Sequence, residues 1–269
     1  MPRIDRLFGF GVLPFQDIKA CVSELERVSS YDRLRGVILG TSGAGRGLDD
    51  PAMRPIYEAA EALGLMLFLH PHYGLGHEQF AGMGHALHLA LGFPFETTAA
   101  VCRLVLSGTI DRFPQLRVLL AHSGGTLPFL AGRLDSCVKH DHAVASKLQH
   151  APSYYLRQLY YDALSYHSPA IRCAVSFAGI DRVMFGTDHP FFPPPESNGR
   201  CLLLPFCCVF CSAPLTDILC VLRTASIPDS AEWPSTSQNF AALHGAFSSA
   251  EISAICRDNA VRILKLPLL

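Results

Sequence analysis

Apolar residues recur along this chain in two alternating patterns, short continuous runs and stripes at helical spacing. The run LMLFLH, which ends at His70, follows a helical stripe that closes at Gly64, and it is too short to cross a membrane. Such runs are typical of strands that are buried on both faces of a parallel sheet. Run and stripe alternate about six times, which predicts an α/β fold with parallel strands.

The patterns place these elements approximately. We expect strands within 7–13, 36–40, 65–73, 116–125, 158–163 and 181–192, and helices within 18–25, 51–63, 95–112, 170–179 and 252–264. Six such strands are equally consistent with a TIM-type barrel and with an open doubly wound sheet. Periodicity alone leaves both architectures open.

Three of the predicted strands end in residues that bind metals or transfer protons. These residues are His70, His122 and the pair Asp188–His189. A single histidine at a strand end is more often a hydrogen-bonded core residue, and Asp188 before His-Pro is also typical of a turn. Because ligands collect at the carboxyl ends of parallel strands, three such endings together favour one shared pocket. The further histidines of the loop that follows His70 are expected to face solvent or to form a lid.

Composition limits the class of protein. Of the 269 residues 49% are hydrophobic and 17% are charged, which suffices for a large core. A formal net charge of −1 argues against nucleic acid, and no basic helix indicates a membrane surface. We expect small-molecule partners and a second copy of the chain. The start MPRIDRLFGFGVLPF is a poor signal peptide, so the expected location is the cytoplasm.

The ten cysteines fall into two groups. Five are isolated in apolar helical patterns and are expected to be buried thiols: Cys21, Cys102, Cys137, Cys173 and Cys256. The other five crowd between Cys201 and Cys220 without the paired spacing of a zinc site. We interpret the chain as one domain, 1–269, with a non-native or disordered insertion at about 199–232.

Four long motifs resemble one protein family. LFLHPHYG, LALGFPFETT, SGTIDRFPQLRVLLAHSGGTLPFLAGRLDSC and DRVMFGTDHPFFPP occur in this order. They are similar to the aminocarboxymuconate-semialdehyde decarboxylase branch of the amidohydrolase superfamily. Within that branch they most resemble the fungal uracil-5-carboxylate (isoorotate) decarboxylases. The resemblance covers about residues 7–195 and resumes at Trp233.

The resemblance implies a fold and a set of site residues. It implies a (β/α)8 barrel with one divalent metal, usually zinc, and no organic cofactor. His70 and Asp188 match the family's metal ligands, and Asp188 also matches the group that moves a proton at the ring carbon. His122 matches the histidine beside the metal-bound water or substrate. Arg133 matches an arginine that binds the substrate carboxylate, often across a dimer, and Phe191 matches an aromatic residue of the pocket.

The chain departs from the family pattern at two places. Relatives begin with a strand carrying His-x-His, two further metal ligands, and with a second strand; here the first predicted strand matches the family's third. A metal held by so few ligands would be bound weakly. Relatives also pass from FFPP to Trp233 by a short loop. We therefore expect a gene sequence that is incomplete at its start and retains an intron at 199–232. The alternative for 199–232 is a lineage-specific loop near the mouth of the active site.

The predicted function is metal-dependent, non-oxidative decarboxylation of a cyclic carboxylic acid. Uracil-5-carboxylate is the first candidate substrate, followed by 6-methylsalicylate and aminocarboxymuconate semialdehyde. A hydrolase is the second interpretation, because metal, histidine and aspartate equally activate water. The third is an inactive truncated remnant.

Overall fold

One sheet organises the chain. The computed structural model describes residues 7–188, 220–223 and 234–267. Their sheet has seven strands in the order β6-β5-β4-β3-β2-β1-β7. Six strands are parallel, and the seventh pairs antiparallel with the first. Their bounds are β1 Leu7–Val12, β2 Leu34–Gly40, β3 Met66–His70, β4 Arg117–Leu120, β5 Tyr160–Asp162, β6 Val183–Met184 and β7 Cys220–Arg223.

Helices connect each parallel strand to the next. Their bounds are α1 Ile18–Ser29, α2 Arg54–Leu63, α3 Phe93–Leu106, α4 Thr109–Arg112, α5 Leu127–Lys139, α6 His142–Ala145, α7 Pro152–Leu156, α8 Ser168–Ala178, α9 Pro234–His244, α10 Ser249–Ser253 and α11 Asn259–Ile263. Short 3-10 turns cover Pro51–Met53, His122–Gly124 and Ile180–Arg182, and π-helical turns cover His88–Gly92 and Ala254–Asp258. The alternation confirms the predicted α/β class.

The order of the strands decides between the two architectures that the pattern left open. Each strand from β1 to β6 lies beside its predecessor in the chain, with no reversal of order. A doubly wound sheet reverses its order at a switch point, whereas a barrel adds its strands consecutively. The sheet curls in the manner of a TIM-type barrel, and it contains six parallel strands in the part of the chain described.

Alternate residues of the strands fill two separate hydrophobic cores. In β3, Leu67 and Leu69 point to the larger core, which lies against the helices. Met66 and Phe68 point to the opposite face of the sheet, where they join Phe8, Phe10 and Leu119. Because side chains alternate across a strand, a strand buried on both faces must be apolar at every position. This requirement explains the continuous apolar runs of the sequence.

The smaller core is closed by the end of the chain. Ile263, Leu264 and Leu266 are buried in it beside the strands. The guanidinium of Arg117, at the start of β4, donates hydrogen bonds to the carbonyls of Gly64 and Ile263. The closing helices therefore seal the face of the sheet at the amino end of β4.

The antiparallel strand β7 lies within the segment 199–232 that was interpreted as an insertion. Its four residues pair with Leu7 to Phe10 and extend the edge of the sheet beyond β1. Antiparallel edge strands are common on otherwise parallel sheets, and they occupy hydrogen-bonding groups that an edge would leave open. The remainder of the segment lies outside the described residues, so its interpretation as an insertion stays a prediction.

Helix α3 differs from its predicted bounds. The helix was expected to run from 95 to 112, but helical structure begins earlier, in the π-helical turn His88–Gly92, and α3 ends at Leu106. Pro94 lies in the first turn of α3, where its missing N–H needs no partner. Gly108, with a left-handed φ of 75°, separates α3 from α4.

The joined helix His88–Leu106 meets the length and hydropathy expected of a membrane span, with 19 residues and a mean hydropathy of 1.4. It carries core residues, among them Val101 and Leu104, which are buried against the sheet. Core helices of globular proteins have the same length and composition.

One prediction about the cysteines is wrong. Cys21 is fully buried, and Cys102, Cys173 and Cys256 are partly buried, as the apolar patterns indicated. Cys137 is exposed, because it lies on the outward face of α5, one position before the buried Val138.

Candidate functional site

Two histidines meet where β3 and β4 end. His70 is the last residue of β3, and His122 follows β4 after one residue. Their ring centroids are 5.3 Å apart. Burial is the main cause that lowers the pKa of both imidazoles, to about 3 for His122, and His70 lowers the pKa of His122 further. Both side chains are therefore neutral near pH 7, the form in which imidazole binds metals.

His70 has the orientation of a typical metal ligand. Its Nδ1 lies 2.7 Å from the carbonyl oxygen of Pro71, so a neutral ring that donates this hydrogen bond leaves Nε2 with a lone pair. Metal-binding histidines commonly donate their second ring N–H to a backbone carbonyl in this way. The Nδ1 atom of His122 is buried without a hydrogen-bond partner among the described residues.

The turn that carries His122 has an uncommon backbone. His122, Ser123, Gly124 and Gly125 all have positive φ values, between 53° and 73°. A Cβ atom on Gly124 would lie 2.5 Å from the ring of Tyr161. The absence of a side chain at Gly124 therefore makes room for Tyr161 and not for a ligand. Such conformations cost about 1–3 kcal/mol for each non-glycine residue and are concentrated at functional sites.

A buried carboxylate holds this turn. Asp162, the last residue of β5, accepts hydrogen bonds from the backbone N–H groups of His122 at 3.0 Å, Ser123 at 2.7 Å and Leu164 at 3.1 Å. The pKa of Asp162 is raised to about 7, mainly because the group is buried and in part because of the charge of Asp188, while the three N–H groups act to lower it. Sequence reasoning missed this residue, although it ends a strand as His70 does.

Asp188 lies near the carboxyl end of β6, beside Asp162. Burial raises the pKa of Asp188, and a hydrogen bond from the Tyr166 hydroxyl lowers it. Both Asp188 and Tyr166 have left-handed φ values, 56° and 53°. Of the five non-glycine residues with positive φ in the described chain, four therefore follow β4, β5 or β6: His122, Ser123, Tyr166 and Asp188.

Asn239 of α9 fixes the segments that carry Tyr166 and Asp188. Its amide nitrogen donates to the carbonyl oxygens of Ala163 and Gly186, both at 2.7 Å. Its amide oxygen accepts from the backbone N–H groups of Ser165 and Tyr166. Asn239 is fully buried, so all of its hydrogen-bonding capacity is used inside the protein.

Glu96 of α3 binds the loop that follows His70. Its buried carboxylate accepts hydrogen bonds from the N–H groups of His72, Tyr73 and Gly74, and from the hydroxyl of Thr41 after β2. The imidazole of His72 covers Gly40, where a Cβ would lie 2.1 Å from its Nε2. The motif FPFETT therefore contains a residue that connects the ends of β2 and β3.

One aromatic ring borders the histidine pair. The centroid of Phe93 lies 6.4 Å from those of both His70 and His122. On its other side is His88, at 5.1 Å, and His88 in turn lies 4.8 Å from His77. These rings bring two histidines of the expected solvent-facing loop, His77 and His88, next to the site.

The structure does not place either of the two predicted substrate-binding residues beside the histidine pair. Arg133 is exposed on α5 and lines a groove of about 190 Å³ with residues of α3 and α7, among them Cys102 and Leu156. Phe191 lies outside the described residues. The site within one described chain thus consists of His70, His122, Asp162 and Asp188 with their supporting contacts.

The described residues contain no group of three or more histidine, cysteine, aspartate or glutamate side chains arranged to hold a metal ion. His70 and Asp188 are two separate donors at the ends of β3 and β6. Their assignment as metal ligands stays a prediction.

Comparison with known proteins decides the family. An amidohydrolase family model matches residues 1–266. The chain belongs to the amidohydrolase family. Among characterised members, this amidohydrolase is 33% identical to a 2-amino-3-carboxymuconate-6-semialdehyde decarboxylase from Dictyostelium discoideum, over 69% of this chain and 52% of the relative. The chain thus spans about half the length of that relative.

Solved structures agree with the fold of this amidohydrolase. The crystal structure of Metarhizium anisopliae IDCase in apo form is 40% identical, with a TM-score of 0.81, over 98% of this chain and 65% of that one. A second solved structure is that of a dihydroxybenzoic acid decarboxylase from Polaromonas sp. JS666 with bound manganese and the inhibitor 2-nitroresorcinol. It is 22% identical, with a TM-score of 0.71, over 97% of this chain and 70% of that one. These likenesses confirm the TIM-type fold.

The lowered pKa of His122 predicts a pH-dependent stability. Between about pH 6.5 and pH 3 the unfolded imidazole binds a proton that the folded one does not, so His122 makes the unfolding free energy decrease as the pH falls. Its contribution has a slope of at most about 1.4 kcal/mol per pH unit. Urea unfolding with a chelator present, at several pH values in this window, measures it.

The raised pKa values of Asp162 and Asp188 make the folded state more stable as the pH falls, which opposes the effect of His122. Both aspartates are present in the wild type and in His122→Gln, so comparing the two proteins isolates the contribution of His122. As the pH falls, we expect the unfolding free energy of the wild type to decrease relative to that of His122→Gln. A matched variant of an exposed histidine, His140→Gln, should track the wild type. A constant difference for His122→Gln would contradict the burial of a neutral imidazole.

Proposed function

We propose that this amidohydrolase is a metal-dependent, non-oxidative decarboxylase of a cyclic carboxylic acid, with uracil-5-carboxylate as the first substrate. One observation carries the proposal. Four consecutive strands, β3 to β6, are followed by imidazoles and carboxyl groups that interact in sequence. His70 lies beside His122, the backbone of His122 bonds to Asp162, and the charge of Asp188 raises the pKa of Asp162. The names of the relatives from Dictyostelium discoideum and Metarhizium anisopliae support this class of reaction.

Two of the described residues have the donor chemistry that a divalent metal takes, although the described residues form no complete ligand group. His70 has a neutral ring with Nδ1 anchored on Pro71, and Asp188 supplies a carboxyl group. We propose that these two residues hold the ion, which is zinc or manganese. When bound, a divalent ion acts as a Lewis acid that withdraws electron density from the oxygens of a carboxylate.

Asp188 is proposed to move the proton. Loss of carbon dioxide from a ring carbon requires that carbon to gain a proton, because the electron pair of the broken C–C bond returns to the ring. Burial raises the pKa of Asp188 in the chain without metal. With the ion bound, the carboxyl oxygen that does not ligate it would carry the proton. The Asp188 carboxyl group gives its proton to the ring carbon that bears the carboxylate, carbon dioxide leaves, and solvent returns a proton to Asp188.

His122 is proposed to orient the substrate. Its imidazole is neutral, and Nδ1 has no hydrogen-bond partner among the described residues. A buried ring nitrogen without a partner is costly, so a polar group of the substrate that bonds to it would be stabilised. The adjacent ring of Phe93 is suited to pack against a flat cyclic acid.

Arg133 and Phe191 are proposed to bind substrate in a homodimer, in the cytoplasm. Arg133 is exposed on α5 of one chain, away from His70 and His122, as expected of an arginine that serves the site of a second copy. On the same helix Phe129 is 81% exposed, and on α3 Phe95 is 39% exposed. Large exposed apolar side chains that lie on neighbouring helices are typical of protein contacts.

Asp188→Asn tests the proton transfer. With manganese or zinc bound, we expect carbon dioxide release from uracil-5-carboxylate to fall by about 10²- to 10⁴-fold, since the amide has no proton to give. Release of carbon dioxide is measured against ring opening of the same substrate. Near-native turnover by Asp188→Asn would refute the assignment, and ring opening without carbon dioxide would favour a hydrolase.

His70→Gln tests the metal site. We expect affinity for Mn²⁺, measured by isothermal titration calorimetry, to fall by at least about 10-fold. His140→Gln is the matched control, because the Nδ1 of His140 also bonds to a backbone carbonyl, Ser136 O at 2.7 Å, but on the protein surface. Equal affinities in the wild type and His70→Gln would exclude His70 as a ligand.

Phe129→Asp tests the dimer. A charge at the centre of an apolar contact is costly, so we expect this variant to sediment as a monomer while the wild type sediments at twice the chain mass of 29.3 kDa. Tyr31→Asp, at a side chain that is 49% exposed after α1, is the control and should stay dimeric. A monomeric wild type would contradict the proposal.

A further inference from the structure

We infer that Asp162 is a positioning residue that sets the location of His122. For its effect on turnover the inference rests on the proposed function, but its structural part stands independently. No contact of Asp162 with a substrate or a metal is required, because the carboxylate acts through the backbone of the turn after β4.

The turn does not hold its shape by local preference. His122 and Ser123 have φ values of 55° and 53°, which residues with a Cβ rarely adopt. Two such residues in succession are costly, and such conformations persist only where the surrounding structure enforces them. Contacts from outside the turn must therefore determine its conformation.

Asp162 supplies those contacts. Each oxygen of its carboxylate binds a different N–H group of the turn. Oδ2 accepts from His122 N–H at 3.0 Å, and Oδ1 accepts from Ser123 N–H at 2.7 Å. The Ser123 hydroxyl also donates to the backbone carbonyl of Asp162 at 3.0 Å, and it lies 2.6 Å from the Ser165 hydroxyl. The end of β5 thus bonds both residues of the left-handed pair.

Burial makes these bonds strong. Asp162 is buried, and a hydrogen bond in the low-dielectric interior of a protein is electrostatically stronger than one in water. In addition, Oδ1 bonds to Leu164 N at 3.1 Å, which ties the carboxylate to its own strand end. The carboxylate therefore cannot rotate without losing three hydrogen bonds.

The first experiment uses the wild-type chain. We expect the His122 and Ser123 amides to exchange with deuterium as slowly as amides of β4 such as Leu120, because their partner is buried. Exchange is followed by mass spectrometry with residue-level fragmentation. Exchange as fast as in the exposed loop around Gly45 would overturn the inference, and this measurement needs neither a variant nor activity.

The second experiment uses Asp162→Asn. An asparagine that keeps its oxygen at the position of Oδ1 turns its NH₂ group toward the N–H of His122, so that hydrogen bond is lost while two others remain. We expect exchange at His122 to accelerate about 10-fold or more, and kcat to fall about 10- to 100-fold with little change in KM. Affinity for Mn²⁺ should remain near that of the wild type.

Two matched variants separate this role from a general loss of stability. Asp111→Asn removes a carboxylate that binds Tyr155 Oη and Gln149 N away from the site, and it should leave kcat and the exchange of His122 unchanged. Asp141→Asn removes a carboxylate that caps α6 on the surface, and it should likewise leave the exchange of His122 and kcat unchanged.

The outcomes distinguish the two proposals. If the wild type releases no carbon dioxide from any acid, the decarboxylase proposal fails, and the exchange data alone decide the role of Asp162. If Asp162→Asn changes neither exchange at His122 nor kcat, or changes them no more than Asp111→Asn does, Asp162 does not position His122.

Discussion

The constraint on which this structure depends is the burial of each strand on two faces. A parallel strand whose alternate residues enter two cores can vary little in position, because a shift of one residue would exchange the two faces. Met66 and Leu67 illustrate this, since one lies in each core. Because the strands are fixed in position, the residues at their ends are fixed as well. His70 and Asp162 are the last residues of β3 and β5, so their positions follow from packing that lies well below them.

Beyond the strand ends, the backbone departs from its usual conformations. Left-handed φ values occur at His122, Ser123, Tyr166 and Asp188, and each departure is stabilised by polar groups from neighbouring elements. Asp162 bonds the first pair, and Asn239 bonds the N–H of Tyr166 and the carbonyl of Gly186. Buried polar groups with all partners satisfied specify one arrangement, whereas partial satisfaction would be costly. The free energy gained by packing the cores thus offsets the cost of these left-handed residues at the carboxyl ends of the strands.

Much of this could be predicted from sequence, for reasons that differ between residues. His70 and His122 were recognisable because apolar runs precede them and the carboxyl ends of such runs share one edge. Asp162 satisfied the same rule, but the run YYDA was interpreted only as a strand. Glu96 and Asn239 were not recognisable, because each contacts a segment distant in the chain, and a polar residue in a helix is usually exposed.

Boundaries and quaternary roles were harder to predict. The helix that contains α3 begins before its predicted start because the π-helical turn at His88–Gly92 has no distinct periodicity. The prediction that Cys137 is buried failed because its neighbour Val138 is the residue that faces the core. Arg133 was identified through the resemblance alone, and in a single chain it lies exposed on α5.

Strand β6 has only two residues, and its continuation is held by the second π-helical turn and by α11. The N–H of Phe185 bonds to the carbonyl of Ile255 in the second π-helical turn, and Asn259 bonds to the carbonyl of Val183. Residues that lie far along the chain from β6 therefore fix the segment that leads to Asp188. A substitution at Asn259 would disturb this segment, although Asn259 itself lies below the ends of the strands.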